Sequence, residues 1–411
     1  MSSETIFLII ASIFVFDFIF EQSLDYLNFT TIKDIIPSEA VGIYTPEKYT
    51  ASIAYQKDKA SFGFVSAIFG FILSAIMLFA GGFGFLDEFL RQYTEQPILL
   101  ALAYFGVIYI FSDLISLPLQ IYSTFVIEEK HGFNKTTVKT FILDKVKGYL
   151  LAIVVGGALI SLLLTLIINL GQNFWIVFWI IAICLMFFLN MFYTSLILPL
   201  FNKLTPLEDG VLKSAIEDYC KKEGFPGTKV FVIDGSKRSS KANAFFSGFG
   251  SQKKVVLYDT LINNHSIEEL IAILAHEVGH YKKKHIIQGF VASIFQIGFM
   301  LFCLSLFVFN EDLSKALEGR QLSIHLNLIA FGLLFSPVSI ISGLLMSLIS
   351  RKNEFEADEF AAKTYSSNSL ALALKKLSVD NLSHLTPHPL YVFFHYSHPP
   401  VLERLRKLYS L

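Results

Sequence analysis

Residues 266–309, SIEELIAILAHEVGHYKKKHIIQGFVASIFQIGFMLFCLSLFVF, join two very different kinds of sequence. The first part mixes charged and apolar residues at helical spacing and carries histidines at positions 276, 280 and 285. The second part, from residue 286 onward, is an apolar run long enough to cross a bilayer, which takes about 20 residues. The join therefore predicts that the most reactive side chains of the chain lie where it enters a membrane.

The composition of the whole chain is that of a polytopic membrane protein. Of its 411 residues, 54% are hydrophobic and 16% are charged, whereas a typical soluble domain is about 25% charged. The net charge of −1 gives no electrostatic basis for binding nucleic acid, and the three scattered cysteines predict neither a disulfide framework nor a thiolate metal site. Hydropathy predicts seven membrane spans, near residues 5–22, 62–86, 98–125, 147–170, 174–199, 286–309 and 324–348.

These spans divide the chain into four parts. The parts are residues 1–199 with spans one to five, the soluble segment 200–285, residues 286–349 with spans six and seven, and the soluble tail 350–411. Lysine and arginine concentrate in alternate loops, which predicts that both soluble segments are cytoplasmic and that the N-terminus is outside or lumenal. The N-terminal apolar run has no basic leader, so it is expected to stay as the first span. A eukaryotic host predicts the endoplasmic reticulum membrane, and a bacterial host predicts the cytoplasmic membrane.

The soluble segments predict a small α+β domain. Segment 200–285 predicts an amphipathic helix, a short strand and a hairpin in which an SQK turn joins ANAFFSGFG to KKVVLYDTL. A second helix begins after Ser266, because Glu269 completes a capping box with that residue. The tail predicts further helices. The expected fold class is therefore a mostly α, polytopic membrane protein with seven transmembrane helices and a small α+β domain.

The second helix carries the pattern H-E-x-x-H. His276 and His280 are one helical turn apart and project from the same face, and Glu277 follows the first of them. In this arrangement two imidazoles hold Zn²⁺, and the glutamate is the general base for the attacking water. Ten histidines in 411 residues make a chance match to this pattern rare. The sequence thus predicts one zinc ion per chain.

A hydrolytic zinc site requires a third protein ligand, and the segment SRKNEFEADEFAAK offers it. Glu354 and Asp358 are also one turn apart, whereas Glu356 lies on another face and is the weaker candidate. The metal helix is expected to run straight into span six, and span seven returns antiparallel to it, so Glu354 comes back beside the two histidines. Asp358 is then placed to accept a hydrogen bond from a ligand imidazole. His285 is predicted to anchor the chain at the membrane surface together with the neighbouring lysines.

Several motifs together resemble the integral-membrane CAAX prenyl endopeptidases of type I, which are zinc metalloproteases of the gluzincin class. The resemblance covers nearly the whole chain, and the combination is far more specific than H-E-x-x-H alone. It is carried by HEVGH, EFEAD, SSKANAFFSGFG, EEKHGFN, PLFNKLTPLE, YQKDKASFGF and HYSHPPVLERL. The resemblance implies that the seven helices surround a chamber in the membrane and that a zinc-metalloprotease domain caps the chamber on its cytoplasmic side.

The resemblance also implies roles for individual residues. Asn243 and its neighbour Ala244 lie on a strand along which an extended peptide aligns, and small residues there leave room for a substrate backbone. His398 and Arg404 stabilise the oxyanion of the tetrahedral intermediate. Eukaryotic members of the family cut after a prenylated cysteine, remove three C-terminal residues and can also cut upstream. The implied function is a zinc endopeptidase for CAAX-type proteins, which are its expected partners together with the lipid bilayer.

Three alternatives stay open at this point. The same site would serve a quality-control protease that clears misfolded or jammed membrane proteins, and the sequence barely separates that function from CAAX processing. A transporter with a vestigial metal site is a non-enzymatic alternative, but the intact His276, Glu277, His280 and Glu354 argue against it. A protease with its metal buried in mid-membrane would place H-E-x-x-H inside an apolar run, whereas SIEEL and YKKKH flank it here.

Overall fold

The computed structural model describes residues 1–37, 41–224, 229–247 and 254–411, without the Phe246 side chain, and is mostly helical. Three helices continue through short π-helical segments at Ser123–Glu128, Ala152–Gly156 and Ala362–Ser366. The α-helices are α1 (Ser3–Thr30), α2 (Pro46–Phe79), α3 (Gly82–Arg91), α4 (Pro97–Tyr122), α5 (Val138–Leu151), α6 (Gly157–Leu170), α7 (Phe174–Leu196), α8 (Leu198–Phe201), α9 (Val211–Lys222), α10 (Asp259–Asn264), α11 (Ile267–Lys282), α12 (His285–Phe307), α13 (Glu311–Ala316), α14 (Ile324–Ala361), α15 (Ser367–Asp380), α16 (Pro389–His395) and α17 (Val401–Tyr409). The strands are β1 (Leu204–Pro206), β2 (Lys229–Ile233), β3 (Ala244–Ser247) and β4 (Lys254–Tyr258).

The described residues contain six helical stretches that are long and apolar enough to cross a membrane. The predicted fourth and fifth spans fall in one stretch of 64 residues, Val138–Phe201. At 1.5 Å per residue this stretch would measure about 96 Å if it were straight, but it folds back at the short 3₁₀ turn Gly171–Asn173. The polytopic architecture is therefore confirmed, although its seven predicted spans correspond to six continuous stretches.

The predicted end of the second span, near residue 86, is wrong. Helix α2 stops at Phe79, and the chain turns at Gly81 before α3 begins. Gly81 has a left-handed φ of 69°, and a Cβ atom there would lie 1.9 Å from the Glu318 carboxylate. Glycine adopts this conformation at little cost, whereas a side chain here would be strained and would displace the Glu318 carboxylate, so the apolar run is broken by local backbone geometry that hydropathy does not report.

The soluble domain contains a four-stranded sheet in the order β1-β2-β4-β3. Strand β2 is parallel to β4, and β3 is antiparallel to β4 with Phe245 opposite Val256. The predicted hairpin strands are thus confirmed, and their SQK turn lies outside the described residues. Strand β4 is central and buries Val255, Val256 and Leu257, so β3 forms one edge of the sheet.

Helix α11 packs in the core of this domain. Its residues Leu270 to Ala275 are all buried, and the core around them includes side chains of β4, α15 and α17. The capping box at Ser266 and Glu269 is present as predicted, with both reciprocal hydrogen bonds. The metal-binding pattern therefore lies on a helix whose start is fixed by capping and whose sides are fixed by packing.

The expected continuity between α11 and span six is wrong. Helix α11 ends at Lys282, and α12 begins at His285 after Lys284, which has a left-handed φ of 63°. The two residues between the helices, Lys283 and Lys284, give no sequence signal for such a break, because neither is glycine or proline. In contrast, α14 runs unbroken for 38 residues past Pro337, so Glu354 lies on the same helix as span seven.

Candidate metal centre

The structure brings the two histidines of the H-E-x-x-H pattern together on one face of α11. Their Nε2 atoms are 3.2 Å apart, and both point toward the side of the helix that packs on α14. Gly279 makes this packing possible, since a Cβ atom there would lie 3.1 Å from the Cα and the carbonyl oxygen of Ala357. The small residue inside the pattern therefore allows α14 to approach close enough to deliver a third ligand.

Glu354 of α14 faces the two histidines, and it stays the predicted third ligand. Its Oε2 atom lies 3.4 Å from His276 Nε2, and its Oε1 atom lies 3.2 Å from His280 Nε2. The side chain is buried, with 4% of its surface exposed. Among the residues that the structure describes, His276, His280 and Glu354 form the one group of three or more His, Cys, Asp or Glu residues that could hold a metal ion.

The three side chains fit Zn²⁺. The two imidazole Nε2 atoms are 3.2 Å apart, and each lies 3.2–3.4 Å from a different oxygen of the Glu354 carboxylate. Ligand atoms of a tetrahedral zinc lie about 3.3–3.6 Å apart, so the three groups are close enough to share one ion. Glu354 Oε2 is buried and makes no hydrogen bond, although Arg404 Nη1 lies 3.3 Å from it as an ion-pair partner; a bound cation would satisfy this oxygen more fully. The donor set of two imidazoles and one carboxylate is the set that catalytic zinc sites use.

Asp358 contacts the side of His276 that faces away from Glu354, at the position where an acceptor for a ligand imidazole was expected. Its Nδ1 atom lies 2.8 Å from Asp358 Oδ1, and Asp358 itself accepts two hydrogen bonds from Arg404, at 2.6 and 2.8 Å. Burial opposes the charged imidazole, but the hydrogen bonds to Asp358 and Glu354 outweigh it and raise the pKa of His276 to about 9. The two carboxylates thus make the His276 site strongly attractive to a cation.

His280 has a different partner behind it, which the sequence did not predict. Its Nδ1 atom lies 3.1 Å from His285 Nδ1, and His285 Nε2 lies 3.3 Å from Glu356 Oε2. His285 was expected to be a surface anchor and Glu356 to be a weak candidate ligand. Neither is among the three metal-facing groups, but both belong to the surroundings of the site. The break between α11 and α12 at Lys284 creates this contact, and no pattern in the sequence predicts that break.

One cavity connects the site residues. It has a volume of about 650 Å³ and is lined by all three candidate ligands, Glu277, His398, Arg404 and the strand residues Asn243 and Ala244. Ile286, Gly289, Met346 and Ile349, from the two adjoining membrane helices, line it too. Every residue that the sequence singled out for chemistry or substrate contact therefore faces this space, except Asp358, which lies behind His276.

The acid and base candidates differ in their surroundings. Burial raises the pKa of Glu277 above that of an ordinary carboxyl group, although the neighbouring imidazoles partly offset this effect. The pKa of His398 lies below the usual histidine value, because desolvation within the cavity outweighs attraction to the Glu354 carboxylate. His398 Nε2 lies 3.2 Å from Glu354 Oε1. A raised carboxyl pKa is typical of a general base that must later release its proton.

Arg404 differs from the expectation in one respect. Its guanidinium is buried and faces Asp358, with a further contact of 3.3 Å from Nη1 to Glu354 Oε2. Its hydrogen bonds and ion pairs are with Asp358, His276 and Glu354. An oxyanion role for Arg404 stays a prediction, and the contacts themselves describe a residue that holds two carboxylates in place.

The start of strand β3 is held from two sides. Lys241 donates to Glu128 at 2.9 Å and to the Tyr55 hydroxyl at 2.8 Å, while Ala242 exchanges two hydrogen bonds with the Asn381 side chain. Tyr55 and Glu128 belong to the YQKDK and EEKHGF motifs. These motifs thus fix the position of Asn243 relative to the membrane helices.

Comparison with known protein families gave two matches that together cover most of the chain. The family described as CAAX prenyl protease N-terminal, five membrane helices, matches residues 25–203. Peptidase family M48 matches residues 206–411. The second match contains the H-E-x-x-H helix, the whole of α14 and the C-terminal helices.

The chain is also similar over nearly its whole length to individual proteins, both in sequence and in structure. A CAAX prenyl protease 1 homolog of Oryza sativa subsp. japonica is 36% identical, over 95% of this chain and 94% of its own length. CAAX prenyl protease 1 of Saccharomyces cerevisiae is 34% identical, over 98% and 94%. The crystal structure of S. mikatae Ste24p superposes with a TM-score of 0.92 at 33% identity, covering 98% of this chain and 99% of that one.

Proposed function

This chain belongs to peptidase family M48 and is a membrane metalloendopeptidase of the CAAX prenyl protease type. From this premise we propose that it uses one zinc ion to cleave CAAX-type proteins near their C-termini. The observation that carries the proposal is the meeting of His276, His280 and Glu354 at metal-ligand separations inside a cavity that also contains Glu277. The zinc ion, when bound, supplies Lewis-acid polarisation of the scissile carbonyl and activates water at neutral pH.

Glu277 carries the proton in this proposal. It follows His276 directly on α11 and lines the same cavity, so its carboxylate can take a proton from the attacking water. The protonated carboxyl group then passes that proton to the amine of the leaving peptide. The carboxyl group is thus a base in the first half of the reaction and an acid in the second.

The substrate peptide binds along strand β3 in this proposal. Strand β3 is at the edge of the sheet, and the residues that begin it line the cavity. An extended peptide can add to such an edge through backbone hydrogen bonds. These bonds hold the scissile bond in place whatever side chains the substrate carries. The amide of Asn243 and the small side chain of Ala244 then contact the substrate. The contacts of Lys241 and Asn381 with this segment support a preorganised edge.

The oxyanion is stabilised by His398, which can donate from Nε2 into the cavity. Arg404 contributes through Asp358 and Glu354, whose positions it fixes with its buried guanidinium. We assign Arg404 a positioning role on this ground, and a direct contact with the oxyanion is the alternative. Either role makes both residues necessary for efficient turnover.

The membrane-facing part of the cavity supports a substrate that carries a lipid. Ile286 and Gly289 of α12 and Met346 and Ile349 of α14 line the space below the metal centre, so an apolar group attached near the scissile bond can lie among membrane helices. The distribution of lysine and arginine supports a cytoplasmic active site with the N-terminus outside or in the lumen. In a eukaryotic host this arrangement fits the endoplasmic reticulum membrane.

The test compares the purified wild-type protein with Glu277→Gln, which keeps the shape of the side chain and removes the base. Both are incubated in detergent with a farnesylated peptide ending in a CAAX sequence, its unprenylated counterpart and a farnesylated peptide with an amidated, scrambled C-terminus. Mass spectrometry identifies the cleavage sites. Glu268→Gln, an exposed glutamate on the same helix, is the matched control.

The expected result is zinc-dependent release of a tripeptide by the wild type and the control, fastest from the farnesylated CAAX peptide. Glu277→Gln should bind zinc equally but cleave at least about 100-fold more slowly. Equal cleavage of all three peptides would replace CAAX processing with the quality-control function. Cleavage by Glu277→Gln at the wild-type rate would remove Glu277 from the mechanism.

A further inference from the structure

His285 is a buried histidine at the junction between the soluble domain and the membrane. Its side chain is 3% exposed. One ring nitrogen lies 3.1 Å from Nδ1 of His280, and the other lies 3.3 Å from Glu356 Oε2. The residue thus joins a candidate zinc ligand on α11 to a carboxylate on α14.

The backbone conformation of Lys284 makes this contact possible. In an unbroken helix, residues 280 and 285 would be about 140° apart around the axis, and their rings would point in different directions. The left-handed φ of 63° at Lys284 ends one helix and starts the next, so the His285 ring turns back toward His280. A left-handed conformation is unfavourable for a non-glycine residue, and such strain persists where the surrounding structure requires it.

The order of protons along this chain follows from the chemistry of the metal site. When His280 Nε2 presents its lone pair to the metal, its proton must lie on Nδ1. That Nδ1–H can donate only to a lone pair, so His285 Nδ1 must be the acceptor. The proton of neutral His285 then lies on Nε2, which donates to the Glu356 carboxylate. Each donor in the chain meets an acceptor, and only one arrangement of neutral rings satisfies all three groups.

We propose that His285 and Glu356 are positioning residues that hold the His280 imidazole in the orientation and tautomer needed to bind the metal. The inference rests on the proposed function, since it takes His280 as a zinc ligand. It gives the two ligand histidines different supports: a direct carboxylate behind His276, and an imidazole followed by a carboxylate behind His280. Partners of this kind typically change metal affinity or activity by about 10–100-fold when removed.

The experiment compares three variants of the full-length protein in detergent. His285→Leu fills much of the same volume without an acceptor. His285→Asn offers its amide oxygen near the position of Nδ1 and its amide nitrogen toward Glu356. Lys284→Gly keeps the left-handed turn and is the matched control for changes at the junction. Zinc affinity is measured by competition with a chelator, and the Co²⁺-substituted proteins give visible absorption spectra that report the geometry of the ligands.

The expected result is zinc affinity about 10–100-fold weaker and an altered cobalt spectrum for His285→Leu, with recovery toward wild type in His285→Asn. Lys284→Gly should match the wild type in both measurements. Wild-type affinity and spectrum for His285→Leu would overturn the proposal, and so would equal losses in His285→Leu and His285→Asn, because packing alone would then explain the effect.

A second pair covers the case in which His285→Leu does not fold. Glu356→Gln keeps an oxygen acceptor for His285, whereas Glu356→Leu removes it, and Glu356 is partly exposed, with 35% of its side-chain surface accessible. The Leu variant should bind zinc several-fold more weakly than the Gln variant, and equal affinities would overturn the proposal. These outcomes are separate from a failure of the proposed function, in which the wild type itself would bind no zinc or cleave no peptide.

Discussion

Two buried histidine–aspartate pairs lie near opposite ends of α14 and have very different surroundings. At one end, His276 Nδ1 contacts Asp358 at 2.8 Å, and its Nε2 atom faces two other candidate ligands and a cavity. Toward the other end, roughly 50 Å away along the helix from Asp358, His325 Nε2 contacts Asp87 at 2.6 Å. A buried pair of this kind is therefore no evidence of catalysis by itself.

The difference lies in what each pair leaves unsatisfied. Asp87 also accepts a hydrogen bond from Arg91, and the His325 ring packs on Tyr104 with centroids 4.6 Å apart. The nearby Ser314 and Asn327 complete a network of hydrogen bonds between α13 and α14. At the candidate metal centre, by contrast, Glu354 Oε2 makes no hydrogen bond and has only ion-pair contacts, with Arg404 at 3.3 Å and His276 at 3.4 Å. Satisfied polar groups stabilise a fold, whereas a convergent, unsatisfied set is prepared for a ligand.

The largest expected effect comes from breaking the metal centre. Glu354→Gln removes the anionic ligand, so zinc binding and peptide cleavage should both be lost, with the rate falling by about 10³-fold or more because the metal supplies several kcal/mol of transition-state stabilisation. Metal content is measured by mass spectrometry and cleavage with the farnesylated peptide. Stoichiometric zinc and near wild-type cleavage in this variant would remove Glu354 from the ligand set.

The corresponding substitution at the other end of α14 should lower the stability of the fold and leave zinc binding unchanged. His325→Leu leaves the buried Asp87 with only part of its support, so the free energy of unfolding should fall by about 3 kcal/mol. Thermal unfolding in detergent measures this loss, and zinc content per folded molecule should stay at the wild-type value. Loss of zinc from a folded His325→Leu protein would show that the two ends of α14 are coupled.

A smaller effect is expected from the residue behind His276. Asp358→Asn keeps the shape of the side chain but removes the charge that orients His276 and binds Arg404, so zinc affinity should fall by about 10–100-fold. Chelator competition measures the affinity. Glu359→Gln, at the adjacent and more exposed position, should leave it unchanged, and equal affinities for both variants would show that Asp358 only supports packing.

The smallest effect is expected on substrate alignment, which depends on neither the metal centre nor the His325–Asp87 pair. Asn243→Ala removes one hydrogen-bonding group from the strand edge, worth about 1 kcal/mol, so KM for the peptide should rise by about fivefold with zinc binding unchanged. Asn264→Ala, whose amide contacts Asp380 on the surface, is the control. An unchanged KM and kcat in Asn243→Ala would place the substrate elsewhere in the cavity.

Much of the site was predictable because its signals are local. The spacing of His276 and His280 is a property of one helix, and the capping box at Ser266 fixed where that helix begins. Glu354 and Asp358 were predicted from the same spacing together with the expected return of span seven. The two strands of the hairpin followed from their alternation, and β3 proved to be at an edge of the sheet.

Three features were not predictable, each for a physical reason. The break at Lys284 occurs at a non-glycine residue whose left-handed conformation depends on contacts made elsewhere in the fold. The end of α2 depends on how closely Glu318 approaches Gly81. The partners of Arg404 depend on the packing of α17 against α14, which joins residues 46 positions apart in the chain.

By itself the sequence determined that this is a polytopic membrane protein with an H-E-x-x-H helix at the membrane surface, because hydrophobic content and helical spacing are short-range properties of the chain. Only the tertiary structure decided which groups lie behind each ligand. A carboxylate supports His276 and an imidazole contacts His280, since these contacts require α11, α12 and α14 to meet within a few ångströms. This packing depends on the contact between Gly279 and Ala357 and on the left-handed turn at Lys284. Neither feature can be recognised until the helices are packed together.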